Sequence, residues 1–338
     1  MTLPIVAPAT LTDLVTPALV VERDVLDANL AKMAESVPGT KLRPHVKAFK
    51  TTELARRMHA LGHTGFTCAT VREVEGMAAA GLGDDLLLAN EVVDARRLGA
   101  ITGARVTVAV DSELTVDAAA AGGVREVLID VNVGLPRCGV DPDKAGALAD
   151  YARSKGLEVR GVMGYEGHVM LVEDVEDKRR QVEECMSLLL KASADVGGEL
   201  ISAGGTGTYD VNTWANEIQA GSYCLMDTTY AHAGAGFQQA LTILATIISA
   251  NEGGWFVADL GLKALGMDHG NPTIEGASVW YCADEHTVFS SDGKDFAVGD
   301  RIRVIPSHID PTVALHERMH LVDGDDVLET WPVDLRGW

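Results

Sequence analysis

The sequence lacks an excess of basic residues and any long apolar run. It carries 28 lysine and arginine residues against 49 aspartate and glutamate residues, a formal net charge of −21 at pH 7. Without a basic segment, nucleic acid and anionic membrane surfaces are poor partners for this chain. The longest apolar run, residues 241–248, is far too short to span a bilayer. These absences argue against a nucleic-acid-binding or membrane protein.

Cysteine is also scarce and has no recognisable framework. The 5 cysteines are odd in number and none belongs to a C-x-x-C pair, so we expect reduced thiols in a cytoplasmic protein. The N-terminal residues have neither the basic stretch nor the sustained apolar core of a signal peptide. With 47% hydrophobic residues among 338, the chain can form one large domain and a smaller one.

Residues 24–227 alternate between short β-rich runs and helix-like runs rich in Ala, Leu, Glu and Arg. The predicted strands cover residues 42–48, 65–69, 85–89, 106–110, 127–132, 159–165, 200–204 and 218–222. Such alternation with short connections predicts a parallel sheet with helices outside. Eight strand–helix units match a (β/α)8 TIM barrel. A doubly wound open sheet is the alternative architecture.

After about residue 240 the pattern changes to strand-like runs separated by Gly-, Asp- and Asn-rich turns. This pattern predicts a second, mostly antiparallel β domain, which the extended N-terminal segment joins. We therefore expect a barrel over residues 24–235 and a β-rich domain formed by residues 1–23 plus 236–338.

The segment LRPHVKAFK contains a candidate nucleophile. Lys47 lies near the end of the first predicted strand, close to Arg43, His45 and Lys50. The carboxyl ends of barrel strands carry the active site. A lysine crowded by other cations has a lowered pKa and becomes nucleophilic, as Schiff-base formation requires. A solvated basic turn is the alternative interpretation.

Two Gly-rich turns are candidates for anion binding. ISAGGTGTYD follows the seventh predicted strand and QAGSY follows the eighth. Glycines let backbone N–H groups approach an anion, and Thr206 and Thr208 would add hydroxyl donors to the first turn. Gly221, Ser222 and Tyr223 form the second cluster. Because barrels often bind phosphate between the loops after strands seven and eight, these positions favour a phosphate site over ordinary chain turns.

The segment PSHIDPT, near the C-terminus, contains a candidate metal-binding pair. In extended chain, His308 and Asp310 at i and i+2 would point the same way. Mixed nitrogen and oxygen ligation suits Mn²⁺, Zn²⁺ or a similar cation, with water or substrate as further ligands. The alternative is a salt-bridged surface pair.

Taken together, these segments resemble the D-threonine aldolase and D-serine dehydratase family, which is related to the alanine racemase barrel. The matching motifs, in order, are RPH-x-K, VNVGLPRCGV, GGTGT, AGSY-x-x-MD-x-x-Y, and SH-x-DPTVAL followed by WPVDLRG. They extend from about Thr16 to Trp338, and their order and spacing over nearly the whole chain are highly specific.

The resemblance implies a site for pyridoxal 5′-phosphate (PLP). Lys47 would hold PLP as a Schiff base, Arg137 would lie beside the cofactor and Tyr165 near its ring. Gln219 would face the pyridine nitrogen, where alanine racemases place an arginine. The two Gly-rich turns would hold the phosphate through Gly205, Thr206, Gly221 and Ser222. An amide at Gln219 supplies no positive charge, so we do not expect full protonation of the ring nitrogen.

The resemblance also implies that His308 and Asp310 hold a divalent cation, most readily Mn²⁺, with Mg²⁺ or Zn²⁺ as alternatives. The K-T-H-K box of the family reads KAFK at residues 47–50, so a proton role of the missing histidine falls to another group. His168, in YEGHVM, is our candidate auxiliary base; a structural histidine is the alternative.

We therefore predict a cytoplasmic lyase that cleaves the Cα–Cβ bond of D-β-hydroxy amino acids of the D-threonine type into glycine and an aldehyde. The cation would lower the pKa of the substrate β-hydroxyl, with His308 among the catalytic residues. His168 or a metal-bound hydroxide would take the hydroxyl proton, while PLP accepts the electrons of the broken bond. As in its relatives, the chain would form a homodimer.

The nearest alternative is a dehydratase acting on D-serine or 3-hydroxy-D-aspartate with the same PLP and metal, and a 3-hydroxy-D-aspartate aldolase is a close variant. Family dehydratases often carry cysteine at the position of Asp310. A carboxylate suits Mn²⁺ or Mg²⁺ better than a thiolate does, which favours the aldolase. An amino-acid racemase has no use for a metal on the substrate, and a non-catalytic PLP carrier has no use for the His/Asp pair.

Overall fold

A computed structural model of the protein describes residues 8–338; residues 1–7, which belong to the predicted β-rich domain, lie outside the described residues. The chain divides into two compact units. The barrel unit comprises residues 32–223, 232–235 and 335–338, and the β unit comprises residues 8–31, 224–231 and 236–334. The first regular elements are strand β1 (Ala18–Glu22) and helix α1 (Arg23–Ser36).

The barrel unit alternates strands and helices, as the sequence predicts. Its 7-stranded parallel sheet runs in sequence order from β2 to β8. The strands are β2 (Gly65–Cys68), β3 (Asp85–Leu88), β4 (Val106–Val110), β5 (Glu126–Asp130), β6 (Glu158–Met163), β7 (Leu200–Ala203) and β8 (Glu217–Ile218). The helices are α2 (Thr52–Ala60), α3 (Val71–Ala79), α4 (Arg96–Gly99), α5 (Glu113–Gly122), α6 (Ala145–Ser154) and α7 (Val175–Val196).

The segment before β2 closes this sheet into a barrel. Leu42 bridges Ile218 of β8 and His45 bridges Thr67 of β2, both in parallel register. The predicted TIM-type barrel is therefore confirmed, but its first strand is much shorter than the predicted residues 42–48. The reason is local: Pro44 has no N–H for a strand ladder, and the chain turns into a 3-10 helix at Val46–Ala48.

Short polar side chains define where the barrel helices begin. Thr51, Thr70, Ser112 and Asp174 each accept a hydrogen bond from a backbone N–H in the first turn of α2, α3, α5 and α7. Such caps stabilise a helix by about 1 kcal/mol each. Among the helices of residues 8–338, none is long and apolar enough to cross a membrane.

The β unit is built on a 9-stranded sheet in the order β10-β13-β12-β11-β14-β9-β1-β15-β16. Its further strands are β9 (Leu241–Ala250), β10 (Trp255–Ala258), β11 (Thr273–Ile274), β12 (Ala277–Cys282), β13 (Thr287–Ser291), β14 (Arg301–Ile305), β15 (Arg318–Asp323) and β16 (Asp326–Pro332). β10 also pairs with β9, so β9–β14 close into an antiparallel barrel. Two short helices, α8 (Thr228–His232) and α9 (Ile309–Ala314), accompany the sheet.

β1 lies inside this sheet between β9 and β15, antiparallel to β9 and parallel to β15. The described part of the N-terminal segment, residues 8–22, therefore belongs to the β unit. It is held by an apolar cluster of buried residues: Leu11, Leu14, Ala18, Val20, Leu244 and Val322. The sheet is mostly antiparallel, as the turn-rich sequence after residue 240 predicts.

Candidate active site and metal centre

Lys47 lies in the 3-10 turn Val46–Ala48, directly after the segment that closes the barrel. His45 caps this turn: its Nδ1 accepts a long hydrogen bond from the Lys47 N–H at 3.5 Å. Burial lowers the pKa of His45 well below its usual value, and Lys47, Lys50 and Arg137 lower it further. The imidazole therefore stays neutral and can accept this bond. Lys47 is thus presented at the carboxyl edge of the barrel.

The crowding of cations expected around Lys47 is offset by buried carboxylates. Lys50 Nζ lies 3.3 Å from Oε1 of the buried Glu73. Arg43 forms ion pairs of 2.9 Å with Asp85 and 2.8 Å with Glu217. The positive charges of Lys50 and Arg43 are therefore compensated, and His45 is neutral, which the sequence alone did not indicate.

Arg137 and Tyr165, which the resemblance assigns to the cofactor site, lie against each other. The Arg137 guanidinium carbon lies 5.3 Å from the centroid of the Tyr165 ring, within the range of a cation–π contact. Tyr165 also lies near the first Gly-rich turn, because a Cβ placed on Gly205 would be 3.7 Å from Tyr165 Cε2. The loops after β5, β6 and β7 thus meet around the tyrosine ring.

The two Gly-rich turns adjoin each other and the Lys47 turn. Thr206 Oγ1 accepts a hydrogen bond from the Tyr223 N–H at 3.1 Å. A Cβ on Gly221 would lie 2.4 Å from the His45 carbonyl oxygen, so only glycine allows this close approach. Three of the predicted cofactor segments therefore meet at one edge of the barrel.

Thr208 does not serve the role that the sequence suggested. Its hydroxyl donates to Glu166 Oε1 at 3.0 Å, because the chain turns this side chain inward, and it is fully buried. Glu166 also accepts from the Gly204 N–H at 3.1 Å and from Asn212 Nδ2 at 2.9 Å. This buried carboxylate fastens the first Gly-rich turn. Sequence reasoning missed it, although it directly follows Tyr165.

Gln219 is held by a chain of hydrogen bonds across neighbouring strands. Its Nε2 donates to Ser202 Oγ at 2.8 Å, and Ser202 Oγ donates to Glu217 Oε1 at 2.6 Å. An ionised carboxylate only accepts, so the Ser202 hydrogen goes to Glu217 and its oxygen accepts from the amide. The end of the amide that faces Ser202 is therefore fixed as the NH₂ group.

His168 is exposed in the 3-10 turn Gly167–Val169. Its Nε2 lies 3.6 Å from Cys185 Sγ of α7, and its Cε1 would be 3.2 Å from a Cβ on Gly134. The imidazole is thus placed against α7 and the loop after β5. Its role as a base stays a prediction.

His308 and Asp310 lie at the start of α9 rather than in extended chain. His308 has extended dihedrals, φ −145° and ψ 120°, but Asp310 belongs to the first helical turn. The expectation of an extended segment is therefore wrong, because Pro311 fits a first helical turn, where its missing N–H has no partner to lose. Between them, the Ile309 N–H donates to Oδ2 of the buried Asp227 at 3.0 Å.

A second set of candidate ligands surrounds His308. One ligand atom each from Asp268, His269 and His308 lies within 4.8 Å of the others. His308 Nδ1 is 2.7 Å from Asp268 Oδ2. Sequence reasoning missed Asp268 and His269. The available signal was an Asp-His pair in a Gly-rich loop. This pair lies about forty residues before His308, so the sequence alone could not assign it to His308.

These donor sets fit the groups that the resemblance implies. For PLP, the turn that carries Lys47 adjoins the Gly221 turn, and the hydroxyls of the two Gly-rich turns, on Thr206 and Ser222, belong to residues only 2% and 6% exposed. The Thr206 hydroxyl still carries its own proton after accepting from Tyr223, as a phosphate requires. For a cation, His308 contacts Asp268 through Nδ1 and can offer Nε2, and Asp310 offers a carboxylate oxygen. Mixed nitrogen and oxygen donors of this kind suit a divalent ion.

Comparison with known proteins agrees with this architecture. Residues 21–229 match the family described as "Alanine racemase, N-terminal domain", and residues 240–322 match the family described as "Putative serine dehydratase domain". The chain is 33% identical to a D-threonine aldolase of Arthrobacter sp., an alignment that covers 96% of this chain and 93% of that protein. It is 30% identical to a 3-hydroxy-D-aspartate aldolase of Paracoccus denitrificans, with 95% and 92% covered.

The solved structures show the same likeness. The crystal structure of D-threonine aldolase from Filomicrobium marinum superposes with a TM-score of 0.91 at 32% sequence identity. The match covers 97% of this chain and 98% of that one. The fold is alanine racemase-like, with a parallel barrel followed by an antiparallel one. The chain therefore belongs to the D-threonine aldolase and D-serine dehydratase family of PLP-dependent enzymes, and it is a lyase of the carbon–carbon class.

Proposed function

We propose that this enzyme cleaves D-β-hydroxy amino acids of the D-threonine type into glycine and an aldehyde, with the help of Mn²⁺. The observation that carries the proposal is that the Lys47 turn meets the two Gly-rich turns. The same chain also carries the cluster of Asp268, His269 and His308. The names of the relatives, D-threonine aldolase and 3-hydroxy-D-aspartate aldolase, support the substrate class.

The barrel unit would bind the cofactor. Lys47 would attach PLP through its amine, and the phosphate would be held by Gly205, Thr206, Gly221 and Ser222. Bound PLP supplies a sink for the electrons of the broken Cα–Cβ bond. Arg137 and Tyr165 would orient the cofactor ring from one side, since they contact each other at the edge of the site.

In the β unit, His308 and Asp310 would bind the metal. A bound divalent cation lowers the pKa of an oxygen ligand such as a hydroxyl group, which prepares the β-hydroxyl for bond cleavage. His168 is the proposed acceptor of the hydroxyl proton. Histidine is the side chain that most often serves as a general base.

Product analysis tests the proposal. The PLP-loaded enzyme with Mn²⁺ is incubated separately with D-threonine, D-serine and 3-hydroxy-D-aspartate, and glycine, aldehyde, keto acid and ammonia are measured. Glycine with an equimolar aldehyde supports the aldolase, and the substrate ranking identifies the side chain. A keto acid with ammonia, and no glycine, would overturn it in favour of the dehydratase.

Metal removal separates the remaining alternatives. Chelator treatment that abolishes activity while the PLP absorbance stays supports a metal-assisted lyase. Full cleavage without metal would contradict the metal dependence, whereas inversion of the substrate's α-carbon without cleavage would favour racemase-type chemistry.

We further propose a homodimer in the cytoplasm. Five reduced cysteines are compatible with a reducing compartment, and sedimentation of the purified enzyme measures the oligomeric state.

A further inference from the structure

We propose that Asp268 is the positioning residue of the metal centre: it fixes the His308 ring through Nδ1, so that only Nε2 faces the cation. This inference rests on the proposed function, because it assumes that His308 is a ligand. It assigns a role to a residue that the sequence motifs left without one.

The first support is the contact itself. Asp268 Oδ2 lies 2.7 Å from His308 Nδ1, the length of a hydrogen bond in which at least one partner is charged. A histidine whose Nδ1–H is held by a carboxylate has its ring orientation and tautomer fixed, and its other nitrogen becomes a better donor to a metal. The lone pair of His308 then lies on Nε2.

The second support is the geometry of the neighbouring ring. The His269 and His308 rings stack with centroids 4.1 Å apart and planes inclined by 3°. The lone pair of an imidazole nitrogen lies in the plane of its ring, and a metal sits about 2.0–2.2 Å from it. One cation cannot lie in two separated, nearly parallel planes, so His269 and His308 do not bind the same ion in this arrangement.

His269 instead completes the packing around His308. Its Nδ1 lies 3.3 Å from Thr229 Oγ1, whose hydroxyl donates to the Ser307 carbonyl oxygen at 2.7 Å. Because that hydrogen is used, the Thr229 oxygen accepts from the His269 Nδ1–H. The His269 ring is thereby held against one face of the His308 ring, while Asp268 contacts Nδ1 at the edge of the His308 ring. Of the three residues in this cluster, His308 is therefore the ligand, and Asp268 and His269 hold its ring in place.

The experiment measures Mn²⁺ binding to the PLP-loaded enzyme and to D268A, D268N and the control D284N. Asp284 is an exposed carboxylate of the same unit. We expect D268A to weaken Mn²⁺ binding by roughly 10- to 100-fold, the usual effect of removing such a support. D268N should recover most of the affinity, because its amide oxygen still accepts from the His308 Nδ1–H. D284N should match the unaltered enzyme, and PLP absorbance should stay the same in all four.

Electron–nuclear double resonance of bound Mn²⁺ counts the coordinated imidazoles. One coupled histidine nitrogen in both the unaltered enzyme and D268N supports the inference. Equal loss of affinity in D268A and D268N, or two coupled imidazoles, would overturn it and make Asp268 or His269 a direct ligand. Unchanged affinity in D268A would also overturn it. No Mn²⁺ binding by the unaltered enzyme would instead overturn the proposed function, together with the inference that rests on it.

Discussion

The hydroxyl of Thr206 accepts a hydrogen bond from the backbone N–H of Tyr223 at 3.1 Å. This contact joins the turn after β7 to the turn after β8, and so joins the two parts of the proposed phosphate site. Because Thr206 also retains a proton to donate, it can link the turns and still offer its hydroxyl to a phosphate.

Replacing Thr206 by valine should therefore weaken PLP binding by roughly 5- to 10-fold, the equivalent of about one lost hydrogen bond. Valine keeps the shape but removes both the acceptor and the donor. PLP dissociation constants from absorbance titration measure the effect. The control T206S keeps the hydroxyl and should bind PLP nearly as the unaltered enzyme does; equal weakening in both variants would contradict this role.

Glu166 should be needed for the proposed phosphate site, although it is buried behind the first Gly-rich turn and does not belong to the site itself. The E166A variant leaves the Gly204 N–H, the Thr208 hydroxyl and the Asn212 amide without their shared acceptor. Leaving buried polar groups without partners costs about 1–3 kcal/mol, so the free energy of unfolding in urea should fall by about that amount.

PLP binding should weaken in E166A as well, because the Gly204–Thr208 turn loses its anchor. A surface variant of α7, E183A, serves as the control for general effects of removing a carboxylate. If E166A loses stability but binds PLP normally, Glu166 is a structural residue with no influence on the cofactor site.

The order of these elements follows from the sequence, but several of their contacts do not. Strand–helix alternation predicts the barrel because period and length suffice to identify its elements. Residues 46–48 leave the predicted strand because Pro44 offers no N–H to the strand ladder and a 3-10 turn follows. A β-rich residue pattern does not reveal such a turn. For the same reason His308 and Asp310 were expected in extended chain, since six residues are too few to distinguish a short helix from a strand.

The missed residues have a different cause. Glu166 and Asp268 act through contacts with Asn212 and His308, each about forty residues or more away in the chain. A single sequence contains no information that pairs such positions. The motifs identify the groups that we propose to contact cofactor or metal, whereas the residues that hold those groups in place emerge only from the fold.

Ser202 should control the environment of the PLP ring nitrogen through Gln219. In S202A the Gln219 amide loses the acceptor that fixes its orientation, and Glu217 keeps its ion pair with Arg43. We expect PLP to bind within a few-fold of normal, with a changed ¹⁵N chemical shift of the ring nitrogen in labelled cofactor. An unchanged shift in S202A would show that Gln219 does not depend on Ser202. The control S202T retains the hydroxyl and should preserve the shift.

Asp85 should make the barrel resistant to acid. Burial raises the pKa of this carboxyl, but the ion pairs with Arg160 and Arg43 outweigh burial and hold the pKa well below its usual range. A lowered pKa in the folded state adds stability that is fully present above the unfolded value, about 3.9, and is lost as the pH falls through the folded value.

The D85N variant lacks this contribution. Its urea midpoint at pH 7 should be lower than that of the unaltered enzyme, and the difference should persist to about pH 4 and shrink only below it. A difference that disappears already between pH 7 and pH 5 would show that the carboxyl titrates normally and that the two arginines do not stabilise it.

The central claim is that Lys47 and the His308 centre are both required for cleavage of one substrate. The most direct measurement compares the unaltered enzyme with H308A, both loaded with PLP and supplied with Mn²⁺ and D-threonine. The amounts of glycine and acetaldehyde released are measured per mole of bound PLP. The unaltered enzyme should release equimolar glycine and acetaldehyde, whereas H308A should retain the PLP absorbance and release neither. Glycine formation by H308A at the normal rate would contradict the account.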